Sequence, residues 1–125
     1  MGEQRKDDRK IVGKRGEDLA ESYLIDHHYR IVARNWRCRS GEVDIIAEMD
    51  HKLIFVEVRT RRPSCRFGTA IESVDYRKQM KVREIAQVYM HRYQKYGISV
   101  QFDVITVELG DGQQEPKIVH IQGAF

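Results

Sequence analysis

The segment GEVDIIAEMDHKLIFVEVRTRR, residues 41–62, constrains the fold most, because it places two acidic residues inside two apolar runs. Residues 42–49 and 53–60 are short runs rich in Val, Ile and other apolar residues, which predicts two β-strands. Only Asp50 and His51 clearly separate the two runs, so the strands are expected to form an antiparallel pair joined by a tight turn.

A turn at this dipeptide would set the register of the strand pair. It would place Asp44 directly opposite Glu57, and Glu42 opposite Arg59. The other face would then carry three apolar pairs: Val43 with Val58, Ile45 with Val56, and Ala47 with Ile54. A face of this kind suits a hydrophobic core, which supports the predicted register.

Asp44 and Glu57 would be close neighbours of like charge. Opposed side chains on an antiparallel pair have Cβ atoms about 4.5–5.5 Å apart. Two unit charges about 5 Å apart repel by roughly 3 kcal/mol at an effective dielectric constant of about 20. A shared proton, a neighbouring arginine or a divalent cation could offset this repulsion. Two carboxylates suit Mg²⁺ or Mn²⁺, whereas the structural alternative is neutralisation by Arg59 and a second arginine.

The rest of the chain predicts an α/β fold in the order αβββαββ, with a mixed central β-sheet flanked by helices. The predicted helices span 13–28 and, from Ser73 as N-cap, a stretch ending near Gly97; the further strands span 29–36, 99–109 and 117–122. A length of 125 residues fits one domain. We expect residues 1–12 to be a flexible N-terminal segment and 13–125 to form that domain.

The sequence also excludes several classes of protein. The two cysteines lack CxxC spacing, and residues 1–10 lack the apolar core of a secretion signal. No apolar run approaches the roughly 20 residues that span a bilayer. We therefore expect a soluble, cytoplasmic protein with no membrane partner. The five histidines show no metal-ligand spacing, and Asp103, which alternates with apolar residues, is expected to brace an arginine.

Positive charge is concentrated around the two acids. The net charge of the chain is +3, yet residues 30–66 hold nine Lys and Arg against five Asp and Glu, a net +4. Most are arginines, whose planar guanidinium matches phosphate geometry. The predicted nucleic-acid-binding residues are Arg34, Arg37, Arg39, Arg61, Arg62 and Arg66, with Trp36, which could stack on an unpaired base. The alternatives are a solvated charged face and, for Trp36, a lid over the core.

Five segments together resemble a known family. They are GKRGEDLAESYL, NWRCRSGEVDIIAE, LIFVEVRTRR, SVDYRKQMKVREIAQVYM and FDVITVE, spread from Gly13 to Glu108. In this order they resemble the bacterial YraN family of uncharacterised proteins, which is similar to the restriction-endonuclease-like superfamily of PD-(D/E)XK nucleases. The resemblance implies a restriction-endonuclease-like fold and a metal-dependent nuclease, with archaeal Holliday-junction resolvases among the nearest functional relatives.

The resemblance also implies roles for individual residues. Asp44 and Glu57 match the two metal-binding acids of the pattern, and Glu17 in the first helix matches an additional one. The pattern's lysine position falls on Arg59, which stays protonated at any working pH and therefore cannot act as a base. That role would pass to a metal-bound hydroxide or to another residue. Lys78, on the sheet-facing side of the second helix, is a candidate, although a lysine so placed more often extends to solvent.

These observations predict hydrolysis of phosphodiester bonds, with nucleic acid, expected to be DNA, as the partner. Asp44 and Glu57 would hold one or two Mg²⁺ or Mn²⁺ ions, Glu17 would complete the metal shell, and Arg59 would stabilise charge on the phosphate. A homodimer is a further expectation by analogy with resolvases. Two alternatives stay open: a nucleic-acid-binding protein that has lost catalysis, and a small α/β protein with an internal ion-pair network.

Overall fold

The structure, a computed structural model, describes residues 2–62, 74–110, 112 and 114–125, with side chains described from Asp8 onwards. Its elements are α1 (Gly2–Asp26), β1 (Arg30–Cys38), β2 (Gly41–Met49), β3 (Lys52–Arg61), α2 (Tyr76–Arg92), β4 (Ser99–Glu108) and β5 (Lys117–Ile121). The helices and strands therefore follow one another in the predicted order, αβββαββ.

One mixed sheet joins the five strands in the order β1-β2-β3-β4-β5. Neighbouring strands are antiparallel except β3 and β4, which are parallel. A parallel pair needs a long crossover connection, and α2 lies in the segment that joins β3 to β4. The core has two apolar layers: α1 packs on one face of the sheet and α2 on the other.

The turn between β2 and β3 explains the register of these strands. Asp50 and His51 both have left-handed backbone angles, with φ of 49° and 62°, as a two-residue type I′ turn requires. Pairing starts directly after the turn and continues to Ile45 opposite Val56. The register predicted from the sequence is therefore confirmed over this part of the hairpin.

The two strands separate beyond Ile45 and Val56, where their Cα pairing ends. The Asp44 carboxylate accepts a hydrogen bond from the backbone N–H of Val58 at 2.8 Å. A buried backbone donor must find a partner, and here an acidic side chain supplies it. Asp44 is thus held in place by β3 at the point where the backbone ladder stops.

The Cα pairing therefore contains none of the three pairs predicted beyond Ile45, which are Asp44 with Glu57, Val43 with Val58 and Glu42 with Arg59. Glu42 pairs instead with Arg37 of β1, and its carboxylate accepts a hydrogen bond from Arg37 Nε at 2.8 Å. Val43 packs in the apolar layer beneath α2, whereas Val58 packs in the layer beneath α1. The predicted continuous apolar face therefore ends at Ile45.

α1 begins at Gly2, not at residue 13 as predicted, and it ends at Asp26. From Gly2 onwards the predicted N-terminal segment 1–12 is therefore part of this helix; its flexibility stays a prediction.

Two glycines lie in the interior of α1, where glycine costs roughly 0.5–1 kcal/mol relative to alanine. Gly16 has a packing reason, because a Cβ at this position would overlap the Thr60 side chain of β3. Gly13 has no such reason, because a Cβ there would meet nothing within 4 Å. The close approach of α1 to β3 therefore explains only one of the two glycines.

α2 starts one residue after Asp75, whose carboxylate accepts a hydrogen bond from Lys78 N at 2.9 Å and so caps the helix. The predicted N-cap, Ser73, lies outside the described residues. The helix ends at Arg92 rather than near Gly97. Its buried side, which faces the sheet, carries Val82, Ile85, Ala86 and Tyr89.

Candidate active site

Asp44 and Glu57 come together where β2 and β3 separate. Asp44 directly precedes Ile45 and Glu57 directly follows Val56, and these two neighbours form the last Cα pair of the hairpin. The Asp44 carboxylate is close enough to act on Glu57 through its charge and through a hydrogen bond. The two acids that the sequence singles out are therefore neighbours, as predicted, although they do not form a Cα pair of the hairpin.

Glu57 is the more deeply buried of the two acids, with 1% of its surface exposed. Among the described residues, its Oε1 has no hydrogen-bond partner. Burial, reinforced by the charge of Asp44, raises the pKa of Glu57 to about 8, although the Lys78 ammonium acts in the opposite direction. Glu57 therefore holds a proton at neutral pH, which is one of the three ways of offsetting the repulsion between the acids.

Lys78 in the first turn of α2 points toward this pair. Its Nζ lies 3.8 Å from Oε1 of Glu57, and about a third of its side chain, 34%, is exposed. The ammonium can therefore reach both the buried acid and solvent. The predicted inward orientation of Lys78 is confirmed, whereas its catalytic role stays a prediction.

Glu17, the third predicted metal ligand, lies on α1 and contacts β1. It accepts a hydrogen bond from Asn35 Nδ2 at 2.8 Å and forms an ion pair with Arg34 at 3.5 Å. Asn35 Nδ2 also donates to Glu42 at 2.9 Å. Within the described part of the chain, no group of three or more His, Cys, Asp or Glu side chains could hold a metal ion. The structure therefore brings together two of the three predicted ligands.

Arg34 and Trp36 pack against the helices of this chain. Asn35 between them has a left-handed φ of 49°, so Arg34 faces α1 and Trp36 faces α2. Arg34 donates hydrogen bonds to Asp18 at 2.6 Å and to Glu21 at 3.1 Å. The Arg34 hydrogen bond lowers the pKa of Asp18 below its ordinary value.

The Trp36 ring belongs to an aromatic cluster. It lies edge-on to Tyr89, with ring centroids 5.2 Å apart, and near Tyr93 at 6.4 Å. The Arg92 guanidinium lies 5.2 Å from the Trp36 ring centroid, within the range of a cation–π interaction. This packing matches the alternative that Trp36 covers the core, rather than offering a free stacking surface.

The other predicted phosphate-binding arginines lie at the ends of β1 and β3. Arg37 is 77% exposed and pairs with Glu42, and Arg39 is also exposed. Arg61 and Arg62 line a cavity of about 550 Å³ between α1 and β3, together with Arg59 and other residues. Arg66 lies outside the described residues. The structure thus separates the exposed Arg37, Arg39 and Arg62 from Arg34, which is bonded to acids of α1.

A divalent cation fits the two central acids. Mg²⁺ commonly binds one or two carboxylates and keeps water and substrate oxygens as its other ligands. Oε1 of Glu57 is a buried oxygen beside a second carboxylate, and it forms no hydrogen bond to any described residue. These two residues therefore suit an ion that is held partly by the protein and partly by water or substrate.

Sequence reasoning missed a buried hydrogen-bond network on the α1 face of the sheet. Asp103 accepts hydrogen bonds from His120 Nε2 at 2.7 Å, Gln101 Nε2 at 2.9 Å and Gly123 N at 2.9 Å. The Tyr23 hydroxyl lies 3.3 Å from Nδ1 of His120. Asp103 therefore bonds a histidine rather than the expected arginine. Alternation along β4 indicates that Asp103 is buried, but no local pattern indicates which residue of β5 lies beside it.

Comparison with known proteins finds a family match over most of the chain. The family model described as "Uncharacterised protein family UPF0102" matches residues 16–107. A UPF0102 protein of Rhodococcus opacus (strain B4) is 42% identical over 114 residues, which cover 91% of this chain and 95% of that protein. A UPF0102 protein of Alkaliphilus oremlandii (strain OhILAs) is 43% identical over 118 residues, with 93% and 98% covered.

A solved structure shows a weaker likeness. Pyrococcus furiosus SfsA in complex with Ca²⁺ has a TM-score of 0.36 and 14% sequence identity, covering 91% of this chain and 63% of that chain. A TM-score this low does not establish a common fold. In the described residues, no helix is both long enough and apolar enough to cross a membrane.

Proposed function

The chain belongs to the uncharacterised protein family UPF0102, and we propose that it is a metal-dependent endonuclease with a restriction-endonuclease-like fold. It hydrolyses phosphodiester bonds of nucleic acid, with structured or single-stranded DNA as the expected substrate and Mg²⁺ or Mn²⁺ as the cofactor. The family description carries no activity, so the proposal rests on the site.

The observation that carries this proposal is the environment of Glu57. A carboxyl group is costly to bury unless its oxygens have partners, yet Oε1 of Glu57 is buried, lacks a hydrogen bond to any described residue and lies beside Asp44. A domain that needed only stability would be better served by an apolar residue at this position. Strongly perturbed acids of this kind occur most often at functional sites.

Asp44 and Glu57 would hold the divalent cation. When bound, the cation supplies positive charge that stabilises charge developing on the phosphoryl group and lowers the pKa of water. Asp44 is suited to fixed coordination because Val58 N holds one of its carboxylate oxygens at 2.8 Å. Glu57 offers the oxygen without a described partner, and releases its proton when a cation takes its place.

Two cations of the chain complete the proposed mechanism. Lys78 Nζ, 3.8 Å from Glu57 Oε1 and partly exposed, can orient a water molecule and exchange a proton with solvent. Arg59, which follows Glu57 by two residues in β3, lines the 550 Å³ cavity and stabilises charge on the phosphate. In this proposal Lys78 orients the attacking water from α2, while Arg59 occupies the usual lysine position.

Hydrolysis of labelled DNA tests this function. Single-stranded and four-way branched DNA are incubated with the protein and Mg²⁺ or Mn²⁺, and products are separated on a denaturing gel. We expect cleavage by the wild type, and a loss of about 10²–10³-fold for Asp44→Asn and Glu57→Gln, with DNA binding preserved. Glu48→Gln, an acid of β2 paired with the exposed Arg30, is the matched control and should cleave normally. A wild type that binds DNA but cleaves with neither metal contradicts the proposal.

A nucleic-acid-binding protein without catalysis is the second candidate. It is favoured by the position of Glu17, whose carboxylate bonds Asn35 and Arg34 rather than joining Asp44 and Glu57. Under this alternative the wild type binds DNA without cleaving it, and Asp44→Asn and Glu57→Gln do the same. The hydrolysis experiment therefore separates the two candidates.

A further inference from the structure

Gly13 is a helix-interior glycine that packing does not explain. Its neighbour Gly16, one turn further along α1, is required because a side chain would overlap Thr60. At Gly13 a Cβ would meet no atom within 4 Å, and the residue lies in regular helix rather than in a turn. An alanine would therefore fit and would favour the helix. A glycine without a packing reason commonly marks close approach of a ligand to the backbone.

Two cavities meet at Gly13. The cavity of about 550 Å³ lies on the β3 side of α1 and is lined by Val12, Val58 and Arg62 among others. A second cavity of about 740 Å³ lies on the β1 side and is lined by Lys10 and Lys14 among others. Arg9, Gly13 and Glu17 line both. Of these three residues only Gly13 has no side chain. The part of α1 that separates the two cavities is therefore lowest at Gly13, and we call this position the low point.

Positive charge surrounds this low point. Arg9, Lys10 and Lys14 of α1 are exposed, and Arg62 at the end of β3 is exposed on the other side of the helix. The acids of the second cavity are engaged by its own cations: Asp18 and Glu17 bond Arg34, and Glu42 bonds Arg37. With the α1 cations included, the second cavity is lined by five Lys and Arg against three Asp and Glu, a net charge of +2. The groove formed by the two cavities therefore suits a polyanion.

We propose that a single nucleic-acid strand crosses α1 at Gly13, passing from one cavity to the other. Its phosphates are bound by Arg9, Lys10 and Lys14 along the helix and by Arg62 at the end of β3. This inference rests on the proposed function for the identity of the polyanion, and it names the form of the substrate, one strand rather than a duplex.

The shape of the groove favours a single strand. Arg9 and Glu17, about one helical turn to either side of Gly13, also line both cavities and carry side chains, so the passage over the helix is bounded on both sides and suits one chain better than a double helix. Proteins that bind single strands without sequence preference use a positively charged groove that follows the backbone. The exposed cations on the two sides of Gly13 provide such a groove.

Binding of a fluorescent oligothymidylate of about 15 nucleotides, a length that covers one binding site of this type, tests the inference. Fluorescence anisotropy is measured in EDTA at low salt, so that cleavage plays no part. Gly13→Leu fills the low point with a side chain and should weaken binding about tenfold or more. Gly13→Ala adds only a Cβ and should weaken binding less than Gly13→Leu does.

A matched control separates obstruction from a general effect of added apolar bulk. Ser22→Leu places the same side chain on an exposed position of α1 that lines neither cavity, and should bind as the wild type does. Both leucine variants should melt at or above the wild-type temperature, because leucine favours helix more than glycine or serine does. Melting is followed by circular dichroism.

The outcomes distinguish this inference from the proposed function. Unchanged binding by Gly13→Leu overturns the crossing while leaving hydrolysis to be judged by the cleavage assay. If Gly13→Leu loses binding and the wild type never cleaves DNA, the crossing is supported and the nuclease function is rejected. A wild type that binds the oligothymidylate no more tightly than a duplex of equal length, or binds neither, overturns the crossing by a single strand.

Discussion

Two buried acids of this sheet, Asp103 and Glu57, have opposite surroundings. Asp103 is fully buried, and both of its carboxylate oxygens accept hydrogen bonds, one from His120 and the other from Gln101 and Gly123 N. Glu57 is 1% exposed, and its Oε1 has no hydrogen-bond partner among the described residues. Both oxygens of the Asp103 carboxylate therefore have hydrogen bonds, whereas one oxygen of the Glu57 carboxyl group has none to any described residue.

The difference indicates what each acid is for. A fully bonded buried carboxylate ties together the elements that supply its donors, here β4, β5 and the chain after β5. An unsatisfied one lowers stability and persists where function requires it. The comparison therefore assigns Asp103 to the fold and Glu57 to the site, and each of the following experiments can break or sharpen that assignment.

The largest effect is expected at Asp103. Asp103→Ala leaves His120, Gln101 and Gly123 N without their acceptor, and should lower the free energy of unfolding by about 3–5 kcal/mol. Urea unfolding followed by circular dichroism measures this change. Glu84→Ala, at an exposed position of α2, is the control for loss of an acid as such. A loss of stability for Asp103→Ala no larger than that for Glu84→Ala would contradict the structural role of Asp103.

The raised pKa of Glu57 should make the stability of the protein depend on pH. The folded protein keeps the Glu57 proton up to a pKa of about 8, whereas the unfolded chain releases it near 4.5. The folded state binds more protons between these values, so this contribution to stability is complete below about pH 4.5 and is lost as pH rises toward 8.

Glu57→Gln removes this titration while keeping the shape of the side chain. Without added metal, the wild type should be less stable than Glu57→Gln at pH 9 by about 2–4 kcal/mol, and the difference should shrink toward pH 4. Urea unfolding across this range gives the difference directly. A difference that is constant with pH would mean that Glu57 does not hold a raised pKa.

Lys78 is expected to matter for rate more than for stability. Lys78→Met removes the ammonium 3.8 Å from Glu57 Oε1 and should slow DNA cleavage by about 10²-fold. It should also raise the pKa of Glu57 further, because the Lys78 charge lowers it. Lys81→Met, an exposed position of the same helix, is the matched control. Equal rates for the two variants would exclude Lys78 from the site.

The smallest effect is expected at Glu48, an acid with neither role. Its carboxylate accepts a hydrogen bond from Arg30, whose side chain is 70% exposed. Exposed ion pairs contribute about 0.2–1 kcal/mol. Glu48→Gln should therefore change the free energy of unfolding by less than about 1 kcal/mol, with normal cleavage. A larger change would show that burial and bonding do not separate the acids of this sheet by role.

Much of the fold was predictable because its signals are local. Two short apolar runs indicate the two central strands. The left-handed Asp50 and His51 allow the turn that sets their register. The family membership inferred from the ordered motifs is confirmed. The start of α1 at Gly2 was missed, because the charged residues there carry no apolar periodicity from which a helix could be predicted.

The candidate site was predictable only in part, since it depends on contacts between distant segments. Asp44 and Glu57 come together through one short hairpin, and Lys78 through the sheet-facing side of α2. Glu17 and Glu42 could not be placed, because a left-handed residue, Asn35, turns β1 and bonds both carboxylates. The cytoplasmic location, the homodimer and the cation stay predictions.

The most direct test of the central claim is anomalous scattering from crystals soaked in Mn²⁺. If Asp44 and Glu57 form a cation site, an anomalous peak will lie within about 2.0–2.6 Å of an oxygen from each carboxylate, the range of cation–oxygen distances in proteins. The same soak of Glu57→Gln crystals should lose the peak. A wild-type map with no peak between these oxygens, or with the Lys78 ammonium filling the space, would contradict the account.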